Sequence, residues 1–207
     1  MVPEYPHESI SLNGKEIPIN NIKEGKISPQ TEFESSTLEF IRAWTLGTPV
    51  LQASTSGSTG KPKSVGFSRD QLITSARMTL SALKLPPGGN ALVCIPTRYI
   101  GGKMMLVRAL INSMALHCVE PSADPTSGIP LDTFSLASMV PLQIRTILDN
   151  GHEKHLQQLL NLLVGGSPIP AETESSLVPK LFATKAYETF GMTESLSHFA
   201  LRRLGYS

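Results

Sequence analysis

Residues 55–63 read T-S-G-S-T-G-K-P-K and concentrate the means of holding an anion. Gly57 and Gly60 let backbone N–H groups turn toward one point, the hydroxyls of Thr55, Ser56, Ser58 and Thr59 add donors, and Lys61 and Lys63 add charge. Donors fixed in this way suit phosphate, and charge developing on phosphate most of all. A Walker loop would need G-x-x-x-x-G-K, then Ser or Thr, and a helix behind it. Here Thr55 stands in place of the first glycine, and Pro62 keeps Lys61 out of helical dihedrals. The stretch is expected to hold phosphate without a helix; the alternative, a flexible Ser/Gly linker, is disfavoured by its lysines.

Other residues invite weaker readings. Glu194 follows Phe190-Gly191-Met192-Thr193, a place where a carboxylate and substrate phosphates together could hold magnesium; alone, it reads equally as a solvated loop acid. Gly165-Gly166 alone is a turn. Arg98 could pair with a carboxylate or lie solvated at a strand end. His152 and His155 are one residue short of the H-E-x-x-H zinc spacing, so a helix start is the better account. Cys94 and Cys118 sit in apolar runs without C-x-x-C spacing and read as buried reduced thiols.

These residues need a frame. Residues 1–49 read as an arm, with a hairpin at Leu12-Asn13-Gly14-Lys15, followed by a first helix burying Phe33, Leu38, Ile41 and Trp44 and closed by Gly47 and Pro49. From residue 50 to 207 strand and helix alternate. Strands are expected at 50–54, 65–67, 91–95, 116–119, 136–140, 159–164 and 185–189, with Phe190-Gly191 as a turn. Helices are expected after the capping box Ser68-Arg69-Asp70-Gln71, over 102–114, from Pro141 to Leu148, and from Pro170. This is an α/β chain with mainly parallel sheets flanked by helices, whose ligands gather at the carboxyl ends of the strands.

Composition narrows the partners. With 207 residues, 40% hydrophobic and 17% charged, the chain can bury one core, and a net charge of +1 lacks the attraction that nucleic acid requires. No run of about 20 apolar residues offers a membrane span, and the start M-V-P-E-Y-P-H-E is no secretory signal. A cytoplasmic protein is expected, with a homodimer allowed for.

With the motifs in view, the chain resembles the adenylate-forming superfamily of acyl-CoA synthetases, peptide-synthetase adenylation domains and luciferases. T-S-G-S-T-G-K-P-K is similar to its phosphate loop, Val164-Gly165-Gly166-Ser167-Pro168-Ile169 to its G-G-[AS]-P-[LI] segment, and Phe190-Gly191-Met192-Thr193-Glu194 to its Y-G-M-T-E motif. The resemblance implies part of the large N-terminal domain of that fold, using ATP, Mg2+ and coenzyme A to activate a small-molecule carboxylic acid through an acyl adenylate. It implies that residues 55–61 and Lys63 hold the departing phosphates. Gly165, Gly166, Ser167, Thr189, Phe190 and Gly191 would take the nucleotide, with Phe190 stacking on adenine where tyrosine is usual. Thr193 would meet the α-phosphate and Glu194 the magnesium.

The segment Ile95-Pro96-Thr97-Arg98-Tyr99-Ile100-Gly101-Gly102 resembles the family's P-x-x-H-x-x-G at the acyl pocket, with Tyr99 where histidine is usual, and places Arg98 and Tyr99 at the substrate. His198, close behind Glu194, could border the same pocket or be a packed or surface histidine. Longer stretches, including residues 99–110, 139–143 and 192–202, resemble the o-succinylbenzoate–CoA ligases of menaquinone synthesis; a ligase for another aryl or acyl acid, or a non-catalytic nucleotide-binding domain, are the alternatives. Family enzymes continue with a ribose-binding aspartate, a hinge and a mobile domain bearing a lysine, so these residues are expected to be part of the large domain and inactive alone.

Overall fold

The computed structural model describes residues 8–54, 64–127, 129, 131–193 and 195–206. Its centre is an eight-stranded sheet built from β1 (Ser9–Leu12), β2 (Lys15–Pro18), β5 (Asn90–Val93), β6 (Ala115–Cys118), β7 (Leu136–Met139), β8 (Asn161–Val164), β9 (Lys185–Met192) and β10 (Ser197–Arg203). The spatial order is β10-β9-β8-β7-β5-β6-β1-β2. All neighbours run parallel except the β1/β2 hairpin, turned at Asn13-Gly14 with both residues at positive φ, and the β9/β10 pair. β1 pairs with β6, so the first described residues belong to this sheet.

β3 (Val50–Ser54) and β4 (Ser64–Ser68) stand apart as a separate antiparallel pair, not as members of the parallel alternation. They are the two arms that lead into and out of residues 55–63, which lie outside the described residues.

Side-chain alternation explains the layers. Ala91, Val93, Leu136 and Leu163 face one core, which they share with α2 (Glu32–Thr45), α3 (Arg69–Ala82) and α4 (Ile100–Ile111). Leu92, Cys94, Ala137, Met139, Leu162 and Val164 face a second core, which packs α5 (Pro141–Asp149), α6 (Glu153–Gln157) and α7 (Ala171–Leu177). Strands apolar on both faces belong in a covered parallel sheet. α4 is buried from Met104 through Leu110 because the sheet lies on one side and α3 on the other. A short helix, α1 (Ile19–Lys23), follows β2.

Several boundaries move. α2 buries Thr37 and Phe40 in addition to Phe33, Ile41 and Trp44, leaving Leu38 half-buried. The capping box at Ser68 and Gln71 forms and opens α3. α4 begins and ends earlier than expected, and Ser113 just beyond it has a φ of 55° that a helix cannot continue through. Phe190-Gly191 is not a turn: β9 runs on to Met192 because β10, which the sequence reading did not anticipate, pairs along it. Gly191 permits that pairing, since a Cβ there would meet Ser197 O at 2.1 Å.

Both cysteines are unpaired, and burial pushes each thiol up to about 12. His152 starts α6 and gives its Nδ1 to Asp124 at 2.7 Å; among the described residues no group of three or more His, Cys, Asp or Glu could hold a metal.

Candidate functional site

The sheet reverses its direction of growth at β5, whose parallel neighbours are β6 on one side and β7 on the other. In such sheets ligands bind beyond the carboxyl ends near this reversal. Of the residues singled out from sequence, Arg98 and Tyr99 follow β5, Gly165 and Gly166 follow β8, Thr189 and Phe190 lie near the end of β9, and His198 instead lines a cavity between α3 and β10. After β5 the chain passes through Cys94 to Tyr99, held by Thr97, whose buried Oγ1 lies 2.7 Å from Ser36 Oγ and 3.0 Å from Thr37 Oγ1 on α2. Ser54 N donates to Arg98 O at 3.1 Å, which brings the start of the expected phosphate loop to the same edge.

Arg98 itself turns outward. Its guanidinium reaches Glu32 Oε1 at 3.3 Å and lies 5.0 Å from the Tyr99 ring centre. Tyr99 is the half-buried residue before α4, and Gly102 must be glycine because a Cβ would meet Pro96 O at 2.6 Å. A cavity of about 440 Å³ opens between α2, β3 and the start of α4, lined by Arg98, Lys103, Ser36 and Ser54 among others.

At the carboxyl end of β8, Gly165 N is tied to Met139 O at 3.0 Å. Its side-chain position is filled by Thr189 of β9: a Cβ on Gly165 would come within 2.1 Å of Thr189 Oγ1. Gly166 has a φ of +87°, and Ser167 is exposed. Glycine is thus favoured at 165 by the closeness of Thr189 and at 166 by its backbone dihedrals. Phe190 follows Thr189 with 41% of its surface exposed, and Thr193 closes a turn with Leu196 N on its carbonyl at 2.9 Å. Residues 55–63 and Glu194, to which the phosphate and magnesium roles fell, lie outside the described residues.

Sequence reasoning missed the groups that hold this edge together. Glu188, on the buried side of β9, accepts from Ile169 N at 2.9 Å and from Arg202 Nε at 2.9 Å. Arg202 also makes a two-pronged bond to Glu174 of α7, at 2.9 and 2.7 Å, which holds the Glu174 carboxyl below its ordinary range. One carboxylate thereby fixes the segment 165–169, β9 and β10 to one another. The available signal was a charged residue on the core-facing side of a strand.

On the opposite wall sequence reasoning singled out His198 but missed Arg108. Arg108, 2% exposed in the last turn of α4, donates to Ser197 Oγ at 2.9 Å while its buried Nε has no partner. Burial brings it down to about 10, so it stays charged at neutral pH with no carboxylate paired to it among the described residues. Next to Ser197, His198 Nε2 lies 3.0 Å from Thr79 Oγ1 of α3, and burial together with the charge of Arg108 lowers its imidazole to about 4. Between α3 and β10 lies a cavity of about 640 Å³, lined chiefly by apolar groups and including Met78, Thr79, Leu196, His198, Phe199 and Leu201.

A family model described as AMP-binding enzyme matches residues 24–206. The 2-succinylbenzoate–CoA ligase of Bacillus cytotoxicus is 30% identical over 156 residues, covering 73% of this chain and 32% of its own. That of Haemophilus influenzae is 28% identical over 151 residues, covering 72% and 32%. Among solved structures, an acyl-CoA synthetase (AMP-forming)/AMP-acid ligase II-like protein from Dyadobacter fermentans superposes with a TM-score of 0.80 at 36% identity, over 88% of this chain and 52% of that one. The O-succinylbenzoate coenzyme A synthetase of Bacillus subtilis, in complex with ATP and magnesium ion, shares the fold with a TM-score of 0.64 at 23% identity, over 75% of this chain and 33% of that one. The chain spans about a third of the length of these curated relatives.

Proposed function

This chain belongs to the AMP-binding enzyme family, and on that premise we propose that it supplies the nucleotide- and acid-binding part of an AMP-forming acid–thiol ligase acting on 2-succinylbenzoate in menaquinone synthesis. The carboxylate oxygen would attack the α-phosphorus of ATP, pyrophosphate would leave, and the thiol of coenzyme A would then displace AMP from the acyl carbon. Placement and charge stabilisation are the protein's share of such chemistry. Residues 55–63 would hold the phosphates, Phe190 would stack on adenine beside Gly165 and Gly166, and Thr193 would meet the α-phosphate. Magnesium would arrive with the nucleotide and neutralise phosphate charge, with Glu194 as its protein ligand. Free thiols at the buried Cys94 and the half-buried Cys118 fit a cytoplasmic location.

The observation that carries the acid's identity is Arg108. A buried guanidinium is normally matched by an acid within the protein, because an unpaired buried charge is costly. Arg108 has none among the described residues, and it bonds Ser197, the neighbour of His198 on the wall of the apolar cavity. An aromatic acid carrying a second carboxylate would satisfy both, its ring in the cavity and its spare carboxylate on Arg108. Calorimetric titration with Mg·ATP and with a nonhydrolysable 2-succinylbenzoyl-adenylate analogue tests the reading. Saturable binding of the analogue is expected, and failure of both ligands to bind overturns it.

A further inference from the structure

The Thr79 hydroxyl fixes the tautomer of His198. Thr79 Oγ1 donates to Ser75 O one turn back, at 3.2 Å. With its proton committed there, Thr79 Oγ1 can only accept from His198 Nε2 at 3.0 Å, so Nε2 carries the hydrogen and Nδ1 the lone pair. The described residues offer that Nδ1 no hydrogen bond.

The charges around the ring are few. α4 faces it with Arg108, whose positive charge opposes protonation. β9 places Gly191 opposite His198. Among the described residues the one acid on the cavity wall, Asp70, is nine residues before Thr79 on α3, about 13 Å along the helix axis. Free His198 is therefore neutral at physiological pH, with burial and Arg108 holding it down to about 4. An anion docked against Arg108 would cancel the repulsion and add attraction, and both effects favour imidazolium.

We infer that His198 is a proton-linked specificity residue: when a second anionic group of the acyl substrate docks beside Arg108, His198 takes up one proton from solvent at Nδ1. The site thus binds a diacid together with a proton, and a monoacid without one. This rests on the ligase reading above. Its sign follows from linkage. Binding raises the imidazole from its free value toward or above the ordinary 6.5, so affinity weakens by up to about tenfold per pH unit as pH rises between those values and is flat above them.

The test is calorimetry near pH 6 in two buffers of different ionisation enthalpy. The probes are 2-succinylbenzoate and its monoacid counterpart, 4-oxo-4-phenylbutanoate. Uptake of about half a proton or more is expected with the diacid and close to none with the monoacid. His198→Asn should bind the diacid without uptake and with an affinity that varies no more with pH than that of the monoacid. Diacid binding without proton uptake, or uptake that survives in His198→Asn, overturns the inference and leaves the ligase reading standing. Binding of neither acid overturns both. If the variant does not fold, the pH profile of the unaltered chain decides, since a diacid dissociation constant that does not rise with pH excludes the linkage.

Discussion

The carboxyl ends of β8 and β9 and the wall formed by α3, α4 and β10 both bury charge, but they balance it differently. At the first, Glu188 and Glu174 surround Arg202, and every prong of that arginine has a carboxylate within 2.9 Å. At the second, Arg108 holds a single serine hydroxyl and His198 a single threonine hydroxyl, with no acid paired to either among the described residues. A charge matched inside the protein does scaffold work, because its energy is spent on holding strands in place. A charge left unmatched in a buried wall is destabilising unless a ligand completes it. On the proposed function, the contrast separates residues that position the site from residues that would read the acid.

Variants can break or sharpen this contrast. The largest effect is expected from Glu188→Ala, which strands Arg202 Nε and the Ile169 amide. Arg202 is exposed and keeps Glu174, so the cost is mainly that of the stranded buried Ile169 amide, about 1–3 kcal/mol, measurable as a lowered denaturant midpoint with the slope unchanged. A shift below about 1 kcal/mol would mean that the network is not structural.

Asp124 is a second matched centre, and it extends the comparison to pH. Its carboxylate accepts from Thr126, Asn150 and His152, and these bonds hold it down to about 2 against the opposing cost of burial. A depressed carboxylate stabilises the fold above its unfolded value near 4, and that contribution disappears as pH falls toward 2. Asp124→Asn should cost about 2 kcal/mol at pH 7, with the difference from the parent closing between about pH 4 and pH 2. A gap that does not change with pH would assign the cost to packing.

The smallest effect concerns Gly165. An added methyl would meet only the hydroxyl end of Thr189, which can rotate away, so Gly165→Ala should cost about 1 kcal/mol. Thr189→Ala in the same chain should recover most of it, and a double-mutant cycle reads the coupling. Purely additive costs would show that the two residues do not share that space.

What could be read from the sequence follows the same division. The parallel strands were legible because each is an apolar run bounded by turns, and the helix starts at Ser68 and Pro141 because their caps are local. The glycine-rich segments could be found for the same reason, since neighbours in sequence make the motif. His198 could be singled out from its place just after residues 190–194, but its partner could not, and Arg108 was missed, because the partners lie 119 and 89 residues away. That pairing exists only through β10, whose residues are mostly half-buried or exposed with no clean alternation, so no period of two marked it as a strand. Glu188 was hidden by the converse rule that a charged residue in a strand is read as facing solvent.

The central claim, that Arg108 is kept for a ligand and not for the fold, is tested most directly by titrating the nonhydrolysable 2-succinylbenzoyl-adenylate analogue into the chain and into Arg108→Met, with the unfolding free energy of each measured alongside. The account predicts that the variant is as stable as the parent or more so, while its affinity falls by about 2 kcal/mol or more, roughly thirtyfold. A variant that loses stability yet binds the analogue as tightly as the parent would contradict it.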